Sequence, residues 1–130
     1  MKIVMLGAGA LGSTIGGTLA MGGNDVHFVD MWQEHVDLIN KDGLHMTNEK
    51  EDWYVRVDAR TTADTIGEAD LVIVLVKSFA TKQAVEQLKQ TNVIGKNTLV
   101  MSLQNGLGNE ETIASVIGSE NVISGKTYVG

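Results

Sequence analysis

Residues 7–12 read Gly7-Ala8-Gly9-Ala10-Leu11-Gly12, directly after the apolar run Ile3-Val4-Met5-Leu6 and before a stretch of helical character. A strand, a G-x-G-x-x-G turn and a helix in that order form the first βα unit of a dinucleotide-binding fold. Gly7 lets the chain reverse tightly, Gly9 admits a pyrophosphate close to the backbone, and Gly12 lets helix pack on strand. The N–H groups that open the next helix then face the anion. A tight strand-to-helix turn that holds nothing has similar glycine needs, so the loop takes its meaning from the rest of the chain.

Outward from this loop, apolar runs of four to six residues alternate with longer stretches of helical period. That is the pattern of a parallel sheet covered on both faces. It predicts a Rossmann-like, doubly wound α/β fold, a single domain over residues 1–130. Strands are expected at 2–6, 25–30, 71–76, 98–103 and 121–129, and helices at 10–21, 33–41, 80–90 and 109–117. Val36, Leu38 and Ile39 are the expected buried residues of the second helix. Residues 44–46 and 53–59 read as a hairpin or edge strands around a polar tip at 47–52. Leu71-Val72-Ile73-Val74-Leu75-Val76 is unbroken apolar, as a central strand buried on both faces should be.

Composition narrows the function classes. With 43% hydrophobic residues and a net charge of −6, the chain reads as a soluble globular domain. None of the ten basic residues forms a run, which argues against nucleic acid. The absence of cysteine excludes disulfides and thiolate metal sites and fits a reducing cytoplasm. No metal site is expected, since His27, His35 and His45 lack ligand spacing. They read as a satisfied strand histidine, a solvated helix residue and a hairpin residue. No membrane contact is expected either: the N-terminus begins with a strand rather than a signal peptide, and no apolar stretch approaches spanning length.

In an open α/β sheet a ligand lies outside the carboxyl ends of the strands, where strand order reverses. That rule selects the 7–12 loop, Asp30, Lys77 and Asn105, which come after four different expected strands. Asp30 stands eighteen positions after Gly12, where a carboxylate can accept hydrogen bonds from the adenosine ribose. It favours NAD over NADP, because a 2′-phosphate beside it would cost up to about 4 kcal/mol at 4 Å. Capping of the helix beginning near Trp32 is the plainer reading of the same residue. Lys77 is either a solvated strand-end lysine or a cation aimed at cofactor or substrate. Asn105-Gly106 is either a turn device or an amide near the nicotinamide. Gly16 and Gly17 read as close-packing positions on the sheet, and Trp32 as a border of the adenine pocket or a cover for the sheet edge. No Ser, His and Asp set has a nucleophile motif around it.

Met1 to Gly12 (MKIVMLGAGALG), Gly23-Asn24-Asp25-Val26, Lys41-Asp42-Gly43-Leu44, Lys77 and the block Leu103-Gln104-Asn105-Gly106-Leu107-Gly108-Asn109-Glu110 together resemble the ketopantoate reductase (2-dehydropantoate 2-reductase) family. The resemblance implies NAD(P)H-dependent reduction of a small 2-keto acid to a 2-hydroxy acid, a step toward pantothenate. It implies that residues 7–12 bind the pyrophosphate and that Lys77 and Asn105 meet the nicotinamide end. Two departures stand out. Most members use NADPH and carry a basic residue where this chain has Asp30, which looks more like the NAD-dependent D-2-hydroxy-acid dehydrogenase branch. The family's helical C-terminal domain, with its catalytic lysine and glutamate, is not in this chain, so no catalytic residue is assigned and little turnover is expected from it alone. An NAD-sensing regulatory module would share the glycine loop and Asp30 but does not call for Lys77 or the Gln104-Asn105-Gly106 block. A methyltransferase would share still less. The sequence leaves a homodimer open.

Overall fold

The structure is a computed structural model that describes residues 1–104 and 108–124. From β1 (Lys2–Leu6) the glycine turn leads into α1 (Ala10–Met21), then β2 (Asp25–Val29) and α2 (Gln33–Asp42). A hairpin comes next, β3 (Leu44–Thr47) with β4 (Asp52–Val55), and then β5 (Asp58–Arg60) and β6 (Leu71–Val74). A 3-10 turn at Ser78–Ala80 runs into α3 (Thr81–Lys89), and β7 (Leu99–Ser102), α4 (Asn109–Ile117) and β8 (Val122–Ser124) complete the described chain. No helix among the described residues is long and apolar enough to cross a membrane.

Six strands form one parallel sheet in the order β5-β2-β1-β6-β7-β8. The fold class is thus the Rossmann-like, doubly wound α/β architecture read from the sequence. Strand order reverses at β1, with β2 and β5 on one side and β6, β7 and β8 on the other. The crevice of such a sheet opens above the carboxyl ends of β1 and β6.

Alternation along the strands supplies a core to each face. Val4, Leu6, Val72 and Val74 pack with Val85, Leu88 and Ile113 of α3 and α4. Ile3, Met5, Phe28 and Ile73 pack on the opposite face with Val36 and Ile39 of α2 and Leu44 and Met46 of the hairpin. Two glycines let α1 sit close to this second face. A Cβ at Gly16 would collide with Phe28, and one at Gly17 with Met46. Gly16 therefore packs on the sheet as expected, whereas Gly17 packs on the hairpin.

Two expectations need correction. Leu38 is 55% exposed while Val36 and Ile39 are buried, because a residue two positions along a helix points about 200° away. The expected strand at 53–59 is two strands serving different sheets. Residues 52–55 pair antiparallel with β3, and 58–60 leave to pair parallel with β2. The Asn40 side chain holds the departing strand, donating to the Ala59 carbonyl at 2.8 Å and accepting its N–H at 3.0 Å. The last strand forms at Val122–Ser124 after a turn at Asn121, and residues 125–129 of its expected span lie outside the described residues.

Candidate functional site

The 7–12 loop sits at the floor of a cavity of about 1000 Å³, and all six of its residues line it. Gly7 takes φ +113°, a conformation that L side chains rarely adopt, and a Cβ there would stand 3.0 Å from the backbone of Leu75 and Val76. A Cβ at Gly12 would meet the Gly7 carbonyl oxygen at 2.6 Å. Gly9 is the opposite case: it is exposed, and a Cβ there would meet nothing within 4 Å beyond its immediate chain neighbours. Gly7 and Gly12 answer to the protein's own packing, while the room beside Gly9 faces the cavity.

No side chain caps the N-terminus of α1 and no acid lies in its first turn. The opening N–H groups and the positive end of the helix dipole are therefore offered to an anion. This is the donor set that a pyrophosphate requires, and the residues present fit one.

Ala8, buried at the centre of the loop, is held from three sides. Its N–H donates to Asp30 Oδ2 at 2.8 Å, and its carbonyl receives His35 Nε2 at 2.8 Å and the Ser13 hydroxyl at 3.1 Å. His35 is thus no solvated helix residue. It is half-buried, donates to the loop and stacks on Trp32 with ring centroids 5.4 Å apart. Sequence reasoning missed this contact because it depends on how α2 lies across the loop twenty-seven residues away. His27 and His45 do not line the cavity.

Asp30 lies at the end of β2, beside the loop, and lines the same cavity. Its Oδ1 accepts the Trp32 N–H at 2.9 Å, so the helix-entry role is real and coexists with the strut to Ala8. Each carboxylate oxygen keeps a further acceptor site. Met31, 67% exposed, lines the cavity next to it, whereas Trp32, 63% exposed, is not among the lining residues. The nearby Arg60 is turned away, its Nε on Asp58 at 2.7 Å and its Nη1 on the Thr65 hydroxyl.

Lys77 comes after β6 on the other side of the loop and is the one cation lining the cavity among the described residues. Its carbonyl starts the 3-10 turn by accepting the Ala80 N–H at 2.8 Å. Asn105 lies outside the described residues. Its neighbour Gln104 does line the cavity, as do Thr61, Thr62 and Asp64 of the loop after β5, which the sequence did not single out. Uncapped N–H groups at the loop, a carboxylate with spare acceptor sites to one side and a cation to the other are complementary to an extended dinucleotide lying across the strand ends.

Residues 3–130 match the family described as ketopantoate reductase PanE/ApbA. The chain belongs to the ketopantoate reductase family. It is 33% identical over 127 residues to a 2-dehydropantoate 2-reductase of Streptococcus pyogenes serotype M3, covering 98% of this chain and 40% of the relative. Among solved structures it is similar to a PanE/ApbA family ketopantoate reductase from Ralstonia eutropha JMP134 (TM-score 0.85, 36% identity, 95% of this chain and 40% of that one). It is also similar to a D-mandelate dehydrogenase in a ternary structure with NADH and anilino(oxo)acetate (TM-score 0.89, 30% identity, 97% and 40%). The chain thus spans about 40% of the length of these family members.

Proposed function

We propose that this chain is the dinucleotide-binding domain of an oxidoreductase that reduces a 2-keto acid, 2-dehydropantoate or a similar small acid, to a D-2-hydroxy acid. The observation that carries the proposal is the convergence of the glycine loop, Asp30 and Lys77 on one cavity at the carboxyl ends of β1, β2 and β6. The similarity to D-mandelate dehydrogenase, whose structure holds NADH, supports the same reading. The nicotinamide cofactor, when bound, supplies a hydride.

In this reading each of the chain's own site residues has a task. The 7–12 loop and the N-terminus of α1 bind the pyrophosphate, and Asp30 receives the ribose hydroxyls. Lys77 and Asn105 orient the nicotinamide end. NAD is favoured over NADP because Asp30 is anchored by two backbone N–H groups and cannot easily swing from a 2′-phosphate, while Arg60 is engaged elsewhere. The proton donor and the keto-acid contacts belong to the remaining part of a full-length reductase, so this chain alone turns over little substrate. Its setting is the cytoplasm, in keeping with a chain that contains no cysteine.

A thermal-shift titration with NADH, NADPH and S-adenosylmethionine tests the proposal. Ligand at a hundred times its dissociation constant adds about 2.7 kcal/mol, or roughly 10 °C for a domain of this size. NADH is expected to give the largest shift. A larger shift with NADPH overturns the cofactor preference, and one with S-adenosylmethionine alone overturns the oxidoreductase reading.

A further inference from the structure

The ends of β6 and β7 are joined by one side chain. Gln104 Nε2 donates to the Val76 carbonyl at 2.7 Å and to the Thr81 hydroxyl at 2.5 Å, while Gln104 Oε1 accepts the Ser102 hydroxyl at 2.9 Å. The backbone N–H of Gln104 also points to Ser102 Oγ, at 3.3 Å. Thr81 and Ser102 are almost wholly buried, at 0% and 1% exposure, so neither can exchange its partner for bulk water. The amide orientation is dictated by its surroundings. A carbonyl only accepts, so the NH2 group must face Val76, and a flipped amide would set two acceptors against each other.

The Val76 carbonyl belongs to the peptide plane whose nitrogen is that of Lys77. Holding that oxygen fixes the plane that carries the Lys77 nitrogen and Cα, the point from which the Lys77 side chain leaves the backbone. The bond to Thr81 fixes the other end of the same segment, where the 3-10 turn passes into α3. Gln104 thereby clamps the 76–81 segment at both ends. Asn105, the other group assigned above to the nicotinamide end, follows Gln104 directly in the sequence.

We propose that Gln104 is a positioning residue for the nicotinamide end of the bound dinucleotide, acting through the Val76 carbonyl and Thr81 on Lys77 rather than touching the reacting atoms. The inference rests on the dinucleotide reading given above. It predicts an effect weighted toward one half of the ligand, because none of the hydrogen bonds of Gln104 reaches the 7–12 loop or Asp30.

The test compares NADH with ADP-ribose, which keeps the adenosine and pyrophosphate and lacks the nicotinamide. Both dissociation constants are measured by calorimetry for the 130-residue chain and for its Gln104→Met and Thr81→Val variants, with thermal unfolding recorded alongside. The parent chain is expected to bind NADH more tightly than ADP-ribose. Gln104→Met is expected to weaken NADH by about tenfold and ADP-ribose by less than about twofold. Thr81→Val, which leaves the Val76 bond intact, should shift the ratio the same way by a smaller factor.

Equal weakening of both ligands, an unchanged ratio in both variants, or failure of both variants to fold overturns the proposal, since Gln104 would then be structural support alone. If Gln104→Met does not fold, the ratio for Thr81→Val decides. Equal affinity of the parent chain for the two ligands overturns it too, because no nicotinamide contact would exist to position. Failure of the parent chain to bind either ligand overturns the dinucleotide reading and this inference with it.

Discussion

The Asp30 carboxylate accepts the Ala8 N–H at 2.8 Å, joining the end of β2 to the centre of the glycine loop after β1. The residue assigned to select the cofactor is therefore also part of the loop that would hold it. Substituting Asp30 should affect both properties together. In Asp30→Ser the ratio of NADH to NADPH affinity is expected to fall by about 10- to 100-fold, below the ceiling set by one unscreened charge pair at a surface-type dielectric. The unfolding midpoint should fall as well, since Ala8 and Trp32 lose a charged acceptor. Calorimetry with both cofactors checks the first effect, and an unchanged ratio removes Asp30 from cofactor selection.

Gly9 and Gly12 should separate binding from folding. Gly9→Ala places its methyl where nothing beyond its chain neighbours lies within 4 Å, at φ −70° and ψ −172°, which alanine adopts freely. Its unfolding midpoint is expected to stay near the parent value while NADH binding falls by about tenfold or more. Gly12→Ala drives a Cβ to 2.6 Å from the Gly7 carbonyl oxygen, a backbone atom that cannot rotate aside. It should destabilise the fold by about 1–3 kcal/mol. Urea denaturation of both variants checks this, and equal stability losses would mean that the open space at Gly9 is not a ligand's.

His35 donates to the carbonyl of the same Ala8 whose N–H goes to Asp30. His35→Ala removes this bond and the stacked partner of Trp32. NADH affinity is expected to drop about 3- to 10-fold, in line with one hydrogen bond of roughly 1 kcal/mol. An unchanged dissociation constant would show that Ser13 and Asp30 hold the loop unaided.

Asp58 gives the fold a pH-dependent component at its edge. Burial opposes its ionisation, but hydrogen bonds with His27 and Arg60, together with their charges, outweigh this and hold its carboxyl below the usual carboxylate value. A carboxylate lowered in the folded state contributes stability that is fully present above its unfolded value of about 4. That stability is lost as pH falls through the lower folded value. Asp58→Asn should therefore be less stable than the parent chain at pH 7, and the gap should narrow toward pH 3. Urea midpoints across this range test it, a constant gap being the contrary outcome.

Local signals accounted for much of the fold. The bounds of β1 and α1 were legible from an apolar run, a glycine turn and the Gly22-Gly23-Asn24 stop, all read within one window of sequence. The two strands of 52–60 were not separable that way, because the alternation of Trp53 to Ala59 looks the same whether its partner is β3 or β2. Gln104 stood inside the block that carried the family resemblance, yet the job of its amide was not legible. Its partners Val76 and Thr81 stand 28 and 23 residues away.

By itself, the sequence determined the α/β class, the glycine loop and the short set of polar residues at strand ends, because hydrophobic period and turn chemistry are local properties of a chain. Only the tertiary structure decided how those residues are held: Ala8 between Asp30 and His35, Arg60 turned to Asp58, and the 76–81 segment clamped by Gln104. Hydrogen bonds between residues distant in sequence depend on strand order and helix crossing, which exist only once the sheet has assembled.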